Sequence, residues 1–100
     1  MATELIIIKE LYKNTPIEPS FITLLRDEGL IEIQIINGEQ YIYESQLAEL
    51  ERFARWYYDL SINIEGIDVI RNLLLRIEEM DRELHDLRKI MDYHKKEWEL

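Results

Sequence analysis

The sequence predicts a mainly α-helical fold, a small head of short helices with one β-hairpin that continues into a long C-terminal coiled-coil helix. Three observations predict it. Asn37-Gly38 separates two apolar runs, Pro19 and Gly29 bracket an amphipathic segment, and apolar residues recur every three or four positions from Ile70 to Trp98. The chain has 100 residues, 47% of them apolar and none of them cysteine. That suffices for one packed domain with an extension, and it removes disulfides, thiolate metal sites and a cysteine nucleophile.

Along the chain, Leu5-Ile6-Ile7-Ile8 is apolar and β-branched, which suits either a short strand or the start of a helix. Lys9 to Lys13 reads as a short helix that stops at Asn14-Thr15-Pro16, because proline disfavours helix at the residue before it. A second helix is expected from Pro19 to Glu28. Proline suits the first helical position, Phe21, Leu24 and Leu25 form an apolar stripe, and Gly29 follows where a left-handed residue is wanted.

Leu30 to Tyr43 reads as a hairpin. Ile31, Ile33 and Ile35 alternate with Glu32 and Gln34, and Asn37-Gly38 meets the positive-φ demand of a type I′ turn. From Ser45 the period is helical again, with Leu47, Leu50, Ala54 and Tyr57 on one face and an end near Asp59-Leu60-Ser61. Asn63 is a candidate N-cap for a last helix starting at Ile64.

That last helix carries an a/d seam: Ile70, Leu73, Ile77, Met80, Leu84, Leu87, Met91, His94 and Trp98. About 28 residues at the α-helical rise run roughly 42 Å, longer than so small a head can cover. The seam therefore calls for a partner helix, with a second copy of the chain as the simplest source; the alternative is a helix folded back on its own head. The expected division is a head over residues 1–63 and a dimerisation helix over 64–100. Two short helices followed by a hairpin, a helix and a long helix read as a winged helix-turn-helix joined to a coiled coil.

Charge bears on function. The net charge is −9, and through Gly66 five bases face twelve acids, whereas from Ile67 seven bases face nine. The stretch through Gly66, at −7, is poorly suited to a DNA backbone, whose affinity comes largely from Lys and Arg on phosphates. An acidic surface suits a basic protein partner, or serves solubility.

Catalytic chemistry finds no foothold. Adjacent acids such as Asp27-Glu28 and Glu78-Glu79 read as solvated helix faces, and His85 and His94 are too far apart for helical metal ligands. No glycine-rich phosphate loop is present and no nucleophile has a base beside it. No enzyme activity, metal or cofactor is expected. The apolar run at Leu5–Ile8 is too short for a leader or a membrane span, so a cytoplasmic protein is expected.

Trp56-Tyr57-Tyr58 is the densest aromatic run. Tyr57 fits the core face of its helix. Trp56 and Tyr58 either pack against the next helix or a dimer mate, or form a hot spot for a partner with Glu51 and Asp59 on its rim, near Glu44 and Glu49.

Four segments in order resemble the MerR-like winged helix-turn-helix family. Ile6-Ile7-Ile8-Lys9-Glu10-Leu11 resembles its opening, and Leu24-Leu25-Arg26-Asp27-Glu28-Gly29-Leu30-Ile31 resembles the end of its second helix. Asn37-Gly38 through Tyr43 looks like its wing, and Leu60 to Ile67 like the junction before its dimerisation helix. The resemblance covers about Leu5 to Ile77. Within the family the chain looks most like the chaperone-modulator group, CbpM. That likeness implies a homodimer without a small-molecule effector that binds and inhibits a J-domain co-chaperone of the CbpA type. A transcriptional regulator that reads DNA is the alternative, with Ser20, Thr23 and Arg26 as its DNA-binding residues. Against it, the segment Ser20 to Arg26 holds one arginine, and the wing offers Glu39, Gln40 and Tyr41 where a base is usual.

Overall fold

The computed structural model describes residues 4–98, with side chains through Lys96. The elements are β1 (Leu5–Ile7), α1 (Ile8–Asn14), α2 (Pro19–Asp27), β2 (Ile33–Ile36), β3 (Glu39–Tyr43), α3 (Leu47–Ala54) and α4 (Ile64–Trp98). A 3-10 turn at Glu44–Gln46 leads into α3, and a π-helical turn at Arg55–Asp59 follows it. The fold is the predicted one: mainly helical, with a small antiparallel sheet and a long C-terminal helix. Contacts divide the chain into two compact units, one ending at Asp68 and the other starting at Val69.

In the first unit the apolar run at Leu5 splits between both of its options, strand to Ile7 and helix from Ile8. β1 pairs antiparallel with β3, which also pairs with β2, so the sheet order is β1-β3-β2 and the hairpin gains a third strand. The turn residues Asn37 and Gly38 have φ of 51° and 80°, as the Asn-Gly pair predicts. The hairpin's isoleucines run from buried at Ile31 to 65% exposed at Ile35, so its base joins the core and its tip reaches solvent. The Gln46 carboxamide holds that base. It donates to Glu32 O at 3.1 Å and accepts from Glu32 N–H at 2.9 Å.

Helix boundaries follow local chemistry. Pro19 opens α2. Gly29 closes it at φ 76°, with Leu30 N–H donating to Leu25 O and Gly29 N–H to Arg26 O, a Schellman pair. Asn63 caps α4, its Oδ1 accepting from Gly66 N–H at 2.8 Å. Ile8, Phe21, Ile22, Leu25, Ile42, Leu50, Phe53 and Ile67 are essentially sealed from solvent and form the core, with no buried polar side chain among the described residues.

The second unit is a single helical segment. Its seam residues Leu73 to Met91 are 50% to 69% exposed, while Ile70 is half-buried. The Trp98 side chain lies outside the described residues.

Candidate functional site

Pro16 stops α1 one turn short of α2, and the intervening turn forms one wall of a cleft. Thr15 Oγ1 donates to Leu11 O at 2.6 Å and accepts from Ile17 N–H at 3.4 Å, so a single hydroxyl ties the turn to the end of α1. Glu18 N–H donates to the Tyr58 hydroxyl at 3.1 Å across a sequence separation of 40 residues. Between this turn and the end of α3 lies an open cleft of about 300 Å³, lined by Thr15, Pro16, Ile17, Glu51, Ala54, Arg55, Tyr58 and Asp59.

The π-helical turn builds the other wall. Such a turn holds one more residue than an α turn, and it often marks functional positions. Here it lets the consecutive Tyr57 and Tyr58 both reach Phe21, with ring centroids 4.7 Å and 5.2 Å away, and meet each other edge to face at 5.1 Å. Trp56 goes elsewhere. It packs on Phe53 at 5.9 Å with the Arg52 guanidinium 5.7 Å from its ring centroid.

The predicted group of Trp56, Tyr58, Glu51 and Asp59 is therefore divided. Tyr58, Glu51 and Asp59 share the cleft, whereas Trp56 is not part of its lining, and neither are Glu44 and Glu49. The sequence reading missed Thr15, Pro16 and Ile17 as wall residues. The Thr-Pro turn was visible, but nothing in sequence spacing joins it to Tyr58. The cleft's charges are uncommitted: among the described residues neither Glu51 nor Asp59 forms an ion pair.

The outer face of α2 differs in kind. Ser20 and Thr23 are exposed, with Thr23 Oγ1 donating to Pro19 O at 3.2 Å. Arg26 donates from both Nε and Nη2 to Asp27 Oδ1 at 3.3 and 3.2 Å. Leu24 adds an apolar side chain 42% exposed. The two bases of α1 also have acidic neighbours: Lys9 Nζ lies 2.7 Å from Glu39 on β3, and Lys13 lies 3.8 Å from Glu10. The Glu39 carboxylate, by hydrogen bond and charge, lifts the Lys9 ammonium above the usual lysine range.

Among the described residues no group of three His, Asp or Glu side chains gathers to hold a metal, and no helix is long and apolar enough to cross a membrane.

The family model described as MerR HTH family regulatory protein matches residues 6–89. No curated protein and no solved structure matches the chain.

Proposed function

The chain belongs to the MerR HTH family of regulatory proteins, and from that premise we propose that it is a chaperone modulator, a homodimer that binds and inhibits a J-domain co-chaperone by occupying its surface. It turns nothing over, needs no cofactor or small-molecule effector, and works in the cytoplasm.

The observation that carries this reading is the distribution of free charge on the head. Lys9, Lys13 and Arg26 each have a carboxylate beside them, while Glu51 and Asp59 stand unpaired at a cleft beside Tyr58. Of the other two bases of the head, Arg52 stacks on Trp56 and Arg55 lines the cleft, where two carboxylates outnumber it; a surface with this excess of acid attracts a basic protein and repels a duplex. A J-domain presents a basic helix of that kind. The seam supports the homodimer. Leu73, Ile77, Met80, Leu84, Leu87 and Met91 each leave half or more of their surface exposed. A second seam, with Ile70 and Trp98 at its ends, is the cover such a stripe takes in a coiled coil.

The test measures the chain against a J-domain protein from the same cell and against duplex DNA at low salt. The expected result is a J-domain complex, loss of co-chaperone activity in it, and association slowed by charge reversal at Glu51 and Asp59. Duplex binding with a steep salt slope that fails on Arg26→Ala, together with no J-domain complex, would establish the DNA-reading alternative through Ser20, Thr23 and Arg26. For the dimer, sedimentation of Leu84→Asp is expected to give a monomer where the native chain sediments as two copies.

A further inference from the structure

We propose that the cleft between the Thr15–Ile17 turn and α3 is a socket for one long basic side chain, lysine or arginine, of a protein partner. The idea deepens the proposed function and rests on it for the identity of the protein that carries the side chain. The socket's chemistry stands on the cleft itself.

Size comes first. About 300 Å³ is at the small end of the range that holds whole ligands, and the cleft is open to solvent along one side. That suits a single inserted side chain better than a cofactor. The wall chemistry then selects the side chain. Pro16, Ile17 and Ala54 offer methylene and methyl surface, and Tyr58 adds its phenol ring. Glu51 and Asp59 stand at the same cleft, exposed and without ion pairs among the described residues. An apolar wall with an acidic edge matches a side chain that is apolar along its stem and cationic at its tip.

Two features hold the socket open. The Glu18 N–H to Tyr58 hydroxyl bond pins the phenol to the turn, and Phe21 backs the ring at 5.2 Å. A side chain entering it therefore meets walls already in place.

Arg55 gives the socket a built-in competitor. It also lines the cleft, four residues from Glu51 and four from Asp59. On a helix those are the separations at which charges interact, and Arg55 makes no ion pair within the described residues. An incoming base and Arg55 thus draw on the same two carboxylates. Removing Arg55 should tighten the site, whereas removing the carboxylates loosens it. A merely structural role for these three surface residues gives no such opposition of sign.

The experiment uses the full chain and two probes: the J-domain of the co-chaperone, and a synthetic amphipathic helical peptide bearing four lysines, with its all-glutamine counterpart as control. Binding is measured for the native chain, Glu51→Gln/Asp59→Asn and Arg55→Gln, with circular dichroism confirming each fold. For the J-domain, the carboxylate variant is expected to weaken binding roughly tenfold at low salt and Arg55→Gln to tighten it a few-fold. For the lysine peptide, nuclear magnetic resonance shifts are expected at Ile17, Ala54 and Tyr58 and absent with the glutamine control. Native J-domain binding that neither variant changes overturns the socket and leaves the chaperone reading standing. No J-domain binding with lysine-dependent shifts at those three residues overturns the chaperone reading and supports the socket. Shifts confined to other surfaces, or equal shifts with the glutamine peptide, overturn the socket.

Discussion

Alanine at Gly66 sets helix propensity against crowding at the start of α4. Glycine inside a helix costs up to about 1 kcal/mol relative to alanine, so propensity alone has Gly66→Ala stabilise the chain. The surroundings oppose it. A β-carbon at Gly66 stands 2.8 Å from Ile62 Cγ2 and 3.0 Å from Asn63 Oδ1. The second of these is the oxygen that accepts the Gly66 N–H and caps the helix. Cγ2 of isoleucine moves only if χ1 or the backbone moves, at a cost of roughly 1 kcal/mol. Displacing the Asn63 cap costs about 1 kcal/mol more. The two costs exceed the gain by about 1 kcal/mol. In a chain of this size that lowers the melting temperature by roughly 4–8 °C. The assay is urea unfolding followed by circular dichroism at fixed protein concentration, run on the native chain, Gly66→Ala, Asn63→Ala and the double variant. Gly66→Ala should cost less in the Asn63→Ala background, where the capping oxygen is already gone. A rise in stability on Gly66→Ala in the native chain would refute the crowding. Equal costs in both backgrounds would refute the part assigned to Asn63.

Neighbouring leucines on α2 give a second contrast, since Leu25 is fully buried and Leu24 is 42% exposed. Leu25→Ala should cost about 2–5 kcal/mol and Leu24→Ala under about 1 kcal/mol by chemical denaturation, and similar costs would contradict the packing. A third prediction concerns pH. Glu39 raises the Lys9 pKa in the folded chain above its unfolded value. The pair's contribution is therefore complete below the unfolded lysine pKa and disappears as pH rises through the folded one. Glu39→Gln should return Lys9 to the ordinary lysine range in an NMR titration, and an unchanged titration would exclude the pair in solution.

What could be read from the sequence was local. Pro19, Gly29, Asn37-Gly38 and Asn63 declare themselves because each meets a backbone demand within its own few residues: a missing N–H, a positive φ, an open helix end. The seam was legible for a similar reason, since a period of three and four needs no knowledge of what it faces. The Leu5–Ile8 run was ambiguous, because four β-branched or leucine residues satisfy strand and helix alike. A partner strand 38 positions away, Tyr43 opposite Leu5, decides it.

The candidate site shows the same boundary. Glu51, Tyr58 and Asp59 lie close along the chain and were legible as a group. Their other wall depends on a bond from Glu18 to Tyr58, a tertiary event with no local pattern. Trp56 enters the expected group through its place in the aromatic run Trp56-Tyr57-Tyr58, and such a run does not say which way each ring turns. The π-helical turn at Arg55–Asp59, which no local pattern announces, decides that.

That turn also acts as an adjustment of phase. Each residue of an α-helix advances the chain by about 100°, whereas a π turn spreads one more residue over its circuit, so side chains within it leave the regular α spacing. Phe53, ahead of the turn, keeps its place in the core, while Tyr58, within it, comes round to the Thr15–Ile17 side. Deleting one residue between 55 and 59 is expected to restore ordinary pitch, swing the phenol away from Glu18 and also shift Ile64 and Ile67, the core residues that follow the turn. The length of this short segment therefore sets both which way its tyrosine looks and how the core residues that follow it seat, so the cleft and the packing of the head are tuned together.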